Sequence, residues 1–333
     1  MSSNRNKHLP TALLTGPNGF LGKYLATGLR EAGYQVLGMG RTAGDLVCDL
    51  ATEQPDLSGK SIRLVVHSAG KAHTIPQTEA ESQAFFQVNQ GGTDRLLQAL
   101  DKAGIVPDAF VLISTVAVYG CETGESITED APLNGQTPYA ESKRLAEDLV
   151  VNWCHKQGVR CAVLRLPLIV GNQAPGNLGT LTRAIRRGRY VHIGNGTARR
   201  SMVRADDVAR IIPKAARIGG IYNLTDGVHP TVRELAEAIA QRTAQRPIPT
   251  IPIGLARFLA RVGDGIGWLL GRRFPFDSVS LTKITGSLTF SDQRARQQLD
   301  WRPRSVGSFF ASDQALPAGD REDNVSSVSV SVS

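Results

Sequence analysis

Tyr139 and Lys143 stand four residues apart in the run Tyr139-Ala-Glu-Ser-Lys143. On a helix that spacing brings both side chains to one face, about one turn apart. A phenol with an ordinary pKa near ~10 exchanges protons poorly at neutral pH. A neighbouring ammonium favours the phenolate and lowers that pKa, so the pair suits general acid–base work. Alone it says little, because tyrosines and lysines fill many helix faces.

A second group of residues is suited to holding an anion. Thr15-Gly-Pro-Asn-Gly-Phe-Leu-Gly22 follows an apolar run and opens an amphipathic one. Gly16, Gly19 and Gly22 carry no side chains, so the turn can be tight and the backbone can approach a pyrophosphate. The helix that starts there offers unsatisfied N–H groups and a partial positive charge. In a strand–turn–helix setting this predicts a dinucleotide site, with Asn18, Phe20 and Leu21 counted as part of the loop. The next strand runs Val36-Leu-Gly-Met-Gly-Arg41. An acidic residue at its end would bind a ribose 2′-hydroxyl and repel a 2′-phosphate. Arg41 stands in that place, and a guanidinium suits a phosphate. NADP(H) is therefore favoured and NAD(H) stays open.

These groups need a frame, and the first half of the chain supplies one. Apolar runs at Thr11–Thr15, Tyr34–Gly38, Arg63–His67, Ala109–Ile113 and Arg160–Arg165 predict strands. Gly19–Ala32, Phe85–Ala103 and Tyr139–Lys156 predict helices between them. Alternation of this kind implies βαβ units and a parallel, doubly wound α/β sheet. A dinucleotide-binding part is placed over 10–170, with a return segment near 201–225 that includes Arg204-Ala-Asp-Asp-Val-Ala-Arg210. After Leu166 the rhythm breaks, and 171–200 with 226–310 read as a smaller, mixed substrate-binding part. Thr231, followed by Glu234, predicts a capping box for a helix over Thr231–Thr243. Gly254 to Phe274 mixes leucines and glycines with four arginines. It reads as a helix packed over the smaller part, with a membrane-touching surface helix as the alternative. The end, 318–333, is low in complexity and expected to be disordered.

The chain has 333 residues, 41% hydrophobic and 20% charged, enough for a sizeable core. No apolar run is long enough for a membrane span, and the start lacks a signal-peptide core, so a cytoplasmic protein is expected. The net charge of +8 permits an anionic ligand, but the basic residues are dispersed and no nucleic-acid partner is expected. Cys48, Cys121, Cys154 and Cys161 are scattered, without metal-ligand or redox spacing. They read as buried or incidental thiols, and no metal is expected.

One further run changes the weight of the tyrosine and lysine. Ser114-Thr115-Val-Ala-Val-Tyr119-Gly120 closes a strand, with Thr115 24 residues before Tyr139. S-[ST]-x-x-V-Y-G followed by Y-x-x-x-K, together with the G-x-x-G-x-x-G loop, resembles the extended short-chain dehydrogenases/reductases over roughly residues 10–305. That group contains nucleotide-sugar epimerases, dehydratases and 4-keto reductases. The resemblance makes Thr115 the hydroxyl that orients the reacting oxygen, with Ser114 held second. It places Asp49 and Leu50 beside adenine, and Ser68, Ala69 and Gly70 along the cofactor. Asn89, in Phe86-Gln-Val-Asn89-Gln-Gly-Gly-Thr93, falls in the cofactor region and shapes the active-site helix. Leu166 lies on the strand beside the nicotinamide. Asn177, Leu178 and Arg200 correspond to contacts with a substrate diphosphate. Ser201 stands where the family usually shows Asp. The family often dimerises through the helix that carries the tyrosine, which makes a homodimer an expectation.

What the resemblance implies chemically is hydride transfer to a sugar ketone, with Tyr139 protonating the oxygen and Lys143 tuning Tyr139 and holding the nicotinamide ribose. Dehydration needs an Asp-Glu pair directly after the catalytic hydroxyl, and Val116-Ala117 occupies that place. Reduction of a 4-keto group and 4-epimerisation remain. Arg41 favours a reductase using free NADPH, and the C-terminal run through Leu299-Asp-Trp-Arg-Pro303 is similar to bacterial 4-keto reductases of surface-polysaccharide pathways. The expected substrate is a UDP-linked 6-deoxy-N-acetylhexosamine. A non-catalytic NADP-binding regulator is the remote alternative, since such proteins typically lack the tyrosine and lysine.

Overall fold

The computed structural model describes residues 9–72, 74–242, 247–270 and 276–311; the tail expected to be disordered lies outside the described residues. The chain opens with β1 (Thr11–Thr15), α1 (Phe20–Glu31), β2 (Gln35–Gly40), β3 (Leu46–Val47) and β4 (Leu64–His67). α2 (Glu79–Phe85) runs through a π-helical stretch, Phe86–Gly91, into α3 (Gly92–Lys102). β5 (Ala109–Thr115), β6 (Gly124–Ile127), α4 (Pro138–Gln157) and β7 (Arg160–Leu166) follow. Next come β8 (Leu168–Val170), α5 (Gly176–Arg186), β9 (His192–Ile193), β10 (Met202–Arg204), α6 (Ala205–Ile218) and β11 (Gly220–Asn223). The last stretch holds α7 (Val232–Arg242), β12 (Thr250–Ile251), α8 (Ile253–Leu270), α9 (Ser278–Thr285), β13 (Leu288–Phe290), α10 (Gln293–Leu299) and α11 (Val306–Ala311).

Seven strands form one parallel sheet in the order β11-β7-β5-β4-β1-β2-β3. From β1 the chain moves outward through β2 and β3, then crosses to β4 and β5 on the other side. This is the Rossmann-type, doubly wound order, and its crevice opens beyond the carboxyl ends of the strands beside β1. The strands are continuous apolar runs because helices cover both faces. Their period of two still sorts side chains between two cores. Leu13, Val65, Phe110, Leu112 and Val163 pack with Leu96, Leu97, Leu100, Val150 and Trp153 of α3 and α4. Ala12, Leu14, Val66, Val111, Ile113 and Leu164 pack on the other face with Leu25 and Leu29 of α1 and Val208 and Ile212 of α6. Each fully buried large aliphatic contributes roughly 1.5–3 kcal/mol.

The helix expected over Phe85–Ala103 departs from the sequence reading. It begins earlier, at Glu79, where the Thr78 hydroxyl accepts a hydrogen bond from the Glu81 amide at 3.2 Å. It then widens into the π stretch before α3, which apolar spacing alone does not reveal. The capping box of α7 is present: the Glu234 amide donates to Thr231 Oγ1 at 3.0 Å, and the Thr231 amide to Glu234 Oε2 at 2.8 Å. The thiols of Cys154 and Cys161, scattered in sequence, meet where α4 passes β7.

The later elements build a second, smaller core of Val170, Leu178, Ile185, Met202, Leu235, Ile239 and Phe309. Of the two-stranded sheets, β8 with β10 lines this core, β9 with β12 packs beside α8, and β6 with β13 packs on Val118 and Tyr119. α8 and α9 close one side through Ala256, Ala260 and Leu281. No helix among the described residues is long and apolar enough to cross a membrane.

Candidate active site

The turn between β1 and α1 leaves its backbone bare. Gly16 takes a φ of +71°, which favours glycine. A Cβ on Gly22 would lie 1.9 Å from the Gly16 carbonyl oxygen, so any side chain there breaks the turn. The N-cap, Gly19, supplies no side-chain hydrogen bond, and the first turn of α1 has no acidic residue. Its N–H groups and positive dipole end are thus left for an anion, and the loop fits the pyrophosphate of a dinucleotide. Asn18 Nδ2 donates to the Ala43 carbonyl at 2.6 Å and ties the loop to the segment after β2. Phe20 stands edge-on to Tyr24, with ring centroids 5.7 Å apart, while Leu21 turns into the core.

Arg41 is exposed directly after β2. Asp45, which the sequence reading passed over, bends back so that Oδ2 accepts the Gly38 amide at 2.7 Å. The Asp49 carboxylate accepts from the Ala51 amide at 3.0 Å. Leu50 is buried, and its carbonyl accepts from Arg95 at 2.9 Å. The amides of Ser68 and Ala69 both donate to Thr15 Oγ1, at 3.1 and 3.0 Å. Gly70 faces Asn89, whose Oδ1 lies 3.0 Å from where a Cβ would stand. Asn89 Oδ1 accepts the Lys71 amide at 2.7 Å, and Nδ2 donates to the Lys71 carbonyl at 3.1 Å and to Ser142 Oγ at 2.9 Å. The side chain of Asn89 therefore fastens the loop after β4 to α4, one residue from Lys143.

α4 starts where chemistry needs it to. Thr137 Oγ1 accepts the Ala140 amide at 3.2 Å, and Pro138 takes the first helical position. Tyr139 is thereby held in the first turn, with its ring 6.0 Å from that of Phe85. Its hydroxyl faces the Thr115 side chain. Burial pushes the Tyr139 phenol above its usual range, and Thr115 works against that shift. Lys143 is buried and donates from Nζ to the Ile113 carbonyl at 2.7 Å. Burial pulls its ammonium down to about 8, opposed by the charge of Glu147 one turn further along α4. For Tyr139 burial sets the direction of the shift, and the Lys143 ammonium donates to the end of β5.

Ser114 has a different partner from Thr115. Its hydroxyl donates to Glu147 Oε1, and Arg165 grips both oxygens of Glu147, with Nη2 at 2.7 Å from Oε2. Arg165 Nη1 also donates to the Tyr119 hydroxyl at 3.0 Å, which in turn donates to Asn223 Oδ1 at 2.8 Å. This buried ion pair beneath the site was missed in the sequence.

The remaining candidates lie at the edge of the crevice or beyond it. Leu166 ends β7, level with Thr115 in the strand ladder. Asn177 sits in the first turn of α5, and Leu178 is buried in the smaller core. Arg200 is buried, with its guanidinium turned to the carbonyls of Arg199, Lys283 and Gly286, so it closes the end of α9. Ser201 Oγ accepts the Phe290 amide at 2.8 Å and lies 3.0 Å from His229 Nδ1, which is how this chain meets the hydrogen bonding at a position usually acidic.

Known proteins are similar to this chain in sequence and fold. The profile of the NAD dependent epimerase/dehydratase family matches residues 12–224. UDP-glucose 4-epimerase of Vibrio cholerae is 27% identical over 329 residues, covering 91% of this chain and 94% of that protein. GDP-6-deoxy-D-mannose reductase of Pseudomonas aeruginosa is 29% identical over 254 residues, covering 68% of this chain and 78% of that protein. The solved structure of RMD from Pseudomonas aeruginosa complexed with NADPH superposes with a TM-score of 0.68 at 23% identity, covering 92% of this chain and 96% of that one, and shows the shared fold. With well over half of its length matched by that profile, the chain belongs to the NAD dependent epimerase/dehydratase family of NAD(P)-dependent enzymes.

Proposed function

We propose that the protein reduces the 4-keto group of a nucleotide-activated sugar, a UDP-linked 6-deoxy-N-acetylhexosamine, with NADPH, in the cytoplasmic supply of precursors for bacterial surface polysaccharide. The observation that carries this reading is the meeting of Tyr139, in the first turn of α4, with Thr115 at the carboxyl end of β5 and with Lys143 one turn on. A protonated phenol in that position can give its proton to an oxygen that gains negative charge as hydride arrives, and the preference for reduction with NADPH over epimerisation rests on Arg41 directly after β2.

Bound NADPH supplies the hydride that reaches the ketone carbon. Thr115 hydrogen-bonds the carbonyl oxygen and aims it at Tyr139, which donates its proton to the forming alkoxide. Donors arranged in advance around developing charge account for much of the acceleration in such sites. Lys143 stabilises the phenolate left behind and holds the nicotinamide ribose. Arg41 takes the 2′-phosphate, while Asp45 is engaged by the Gly38 amide. Asn177 and Arg200 take the diphosphate, Arg200 exchanging its carbonyl partners for the substrate, so remote binding energy positions the sugar.

The similarity to a UDP-glucose 4-epimerase over 91% of the chain favours a second reading, 4-epimerisation with tightly bound NAD. Near-ultraviolet absorbance separates the two. Purified protein is mixed with NADPH or NADH and a UDP-4-keto-6-deoxy-N-acetylhexosamine. Consumption of NADPH with formation of the reduced sugar is expected. No consumption, with NAD released on denaturation and turnover of UDP-N-acetylglucosamine, replaces the reductase by the epimerase.

A further inference from the structure

α8 is built inside out for a helix of a globular protein. Ile253 packs inward at its start, and beyond it the residues turned inward are small: Ala256 and Ala260 pack on Leu281, Ile193, Ile251 and Phe276, and Gly263 is buried on the same face. From Leu255 to Ile266 the large apolar residues point away from the protein. Leu255, Phe258, Leu259, Val262 and Ile266 are exposed, Phe258 by 63%. Their spacing of three and four places them on one stripe along the helix. Trp268 is exposed by 86%.

The flank beside this stripe is basic. Arg257 and Arg261 are both exposed, one turn apart, and on a helical wheel they lie near Trp268 at the border of the apolar stripe. The acidic residue of α8 does not answer them: Asp264 accepts hydrogen bonds from the Ser278 amide at 3.0 Å and the Ser278 hydroxyl at 2.5 Å. An apolar stripe bordered by arginines and an interfacial tryptophan is the pattern of a helix that lies in a membrane surface.

From this geometry we propose that α8 docks the protein on an anionic phospholipid surface, lying parallel to it with Phe258 and Val262 among the acyl chains and Arg257 and Arg261 at the headgroups. Charge complementarity selects lipid over a second copy of the chain. Isologous pairing through this stripe would bring the same arginines of two copies into one interface, with Asp264 already engaged. The excess of +8 on the whole chain acts in the same sense. On the opposite, inward face of α8 packs α9, whose last carbonyls hold Arg200. The inference goes beyond the proposed reaction and does not depend on which sugar is turned over.

The test is flotation of the full chain with vesicles of phosphatidylcholine and phosphatidylglycerol in equal parts, read beside vesicles of phosphatidylcholine alone. Trp153 and Trp301 are buried, so a blue shift of tryptophan emission reports Trp268. Binding to the anionic vesicles with a blue shift is expected, and it falls as salt rises. R257Q/R261Q should weaken partitioning about 30-fold, from roughly a factor of five per arginine at an anionic surface. F258S/V262S should abolish it with NADPH binding and melting temperature unchanged, both side chains being exposed. Three outcomes overturn the proposal: no flotation, equal binding to both vesicle types, or self-association of the wild-type chain by light scattering that F258S/V262S removes without any vesicle binding.

Discussion

The Thr15 hydroxyl and the His67 imidazole lie 2.7 Å apart, oxygen to Nδ1, and their neighbours decide which of them donates. Thr15 Oγ1 already accepts the amides of Ser68 and Ala69, so its proton goes to His67 Nδ1. Nε2 must then carry the ring proton, which it gives to Thr93 Oγ1 at 2.9 Å, and Thr93 passes its own to the Asn89 carbonyl at 2.5 Å. One neutral imidazole thereby joins the end of β1, the loop after β4 and the helix that positions α4.

Charging that imidazole opposes folding. Burial, reinforced by the charge of Lys143, pulls His67 down to about 3 from its ordinary 6.5. The unfolded chain binds this proton more readily, so stability is complete above pH 6.5 and is lost as pH falls towards 3. By pH 5 the loss is about 2 kcal/mol. Urea titrations at pH 7 and pH 5 should show it. His67→Gln should be less stable at pH 7 yet much flatter with pH, and an unchanged slope would contradict the assignment.

Gly22→Ala should abolish NADPH binding. A Cβ there meets the Gly16 carbonyl oxygen at 1.9 Å, and the turn must open to admit it. Quenching or enhancement of NADPH fluorescence reads the loss. Circular dichroism should still show a folded sheet, because the clash lies in the loop and not in either core.

Tyr139→Phe should keep NADPH affinity within a factor of about two and lower kcat by roughly 10²–10⁴, the span expected for loss of a positioned acid. Thr115→Ala should cost less, because it removes the aim and leaves the proton donor. Turnover retained by Tyr139→Phe would sink the mechanism.

Glu147→Gln separates the buried pair from the chemistry above it. Arg165 would be left without its counter-charge in the core, at a cost of about 3–5 kcal/mol. The carboxylate also holds up the Lys143 ammonium, which lies at about 8. Activity that requires the ammonium is lost as pH rises through that value. In the variant the alkaline limb of the kcat/KM profile should therefore move to lower pH. A limb that stays in place would uncouple Glu147 from Lys143.

Arg41→Asp should reverse cofactor choice. A carboxylate at the end of β2 repels a 2′-phosphate and can accept from a ribose 2′-hydroxyl. The ratio of NADPH to NADH affinity should fall at least about tenfold, roughly 1.4 kcal/mol. Titration with both cofactors checks it.

Much of the frame was legible because its signals are local. Thr11–Thr15 reads as a strand by apolar content alone, and Thr231 with Glu234 names the start of α7 by side-chain chemistry. The same holds for the tyrosine and lysine, whose relation lies within one helical turn. Relations that cross the sheet were not legible. The bond from Ser114 to Glu147, and that of Glu147 to Arg165, join β5, α4 and β7, and nothing in the spacing of these residues announces the meeting. The carbonyl cage of Arg200 depends on α9, more than eighty residues later in the chain. Asp45 was passed over because an acid in a loop looks solvated until the loop folds back.

The π stretch at Phe86–Gly91 makes its amides reach five residues back rather than four, which amounts to one residue inserted into an ordinary helix. Deleting Val88 would mend the insertion and give the rod a uniform pitch. It would also turn one half against the other by about 100°. With Leu96 and Leu100 still seated in the core, Asn89 would leave either Lys71 or Ser142, and a smoother, tighter helix would present α4 to the crevice unmoored. The extra residue is a splice between two registers, one answering to the sheet and the other to the reaction.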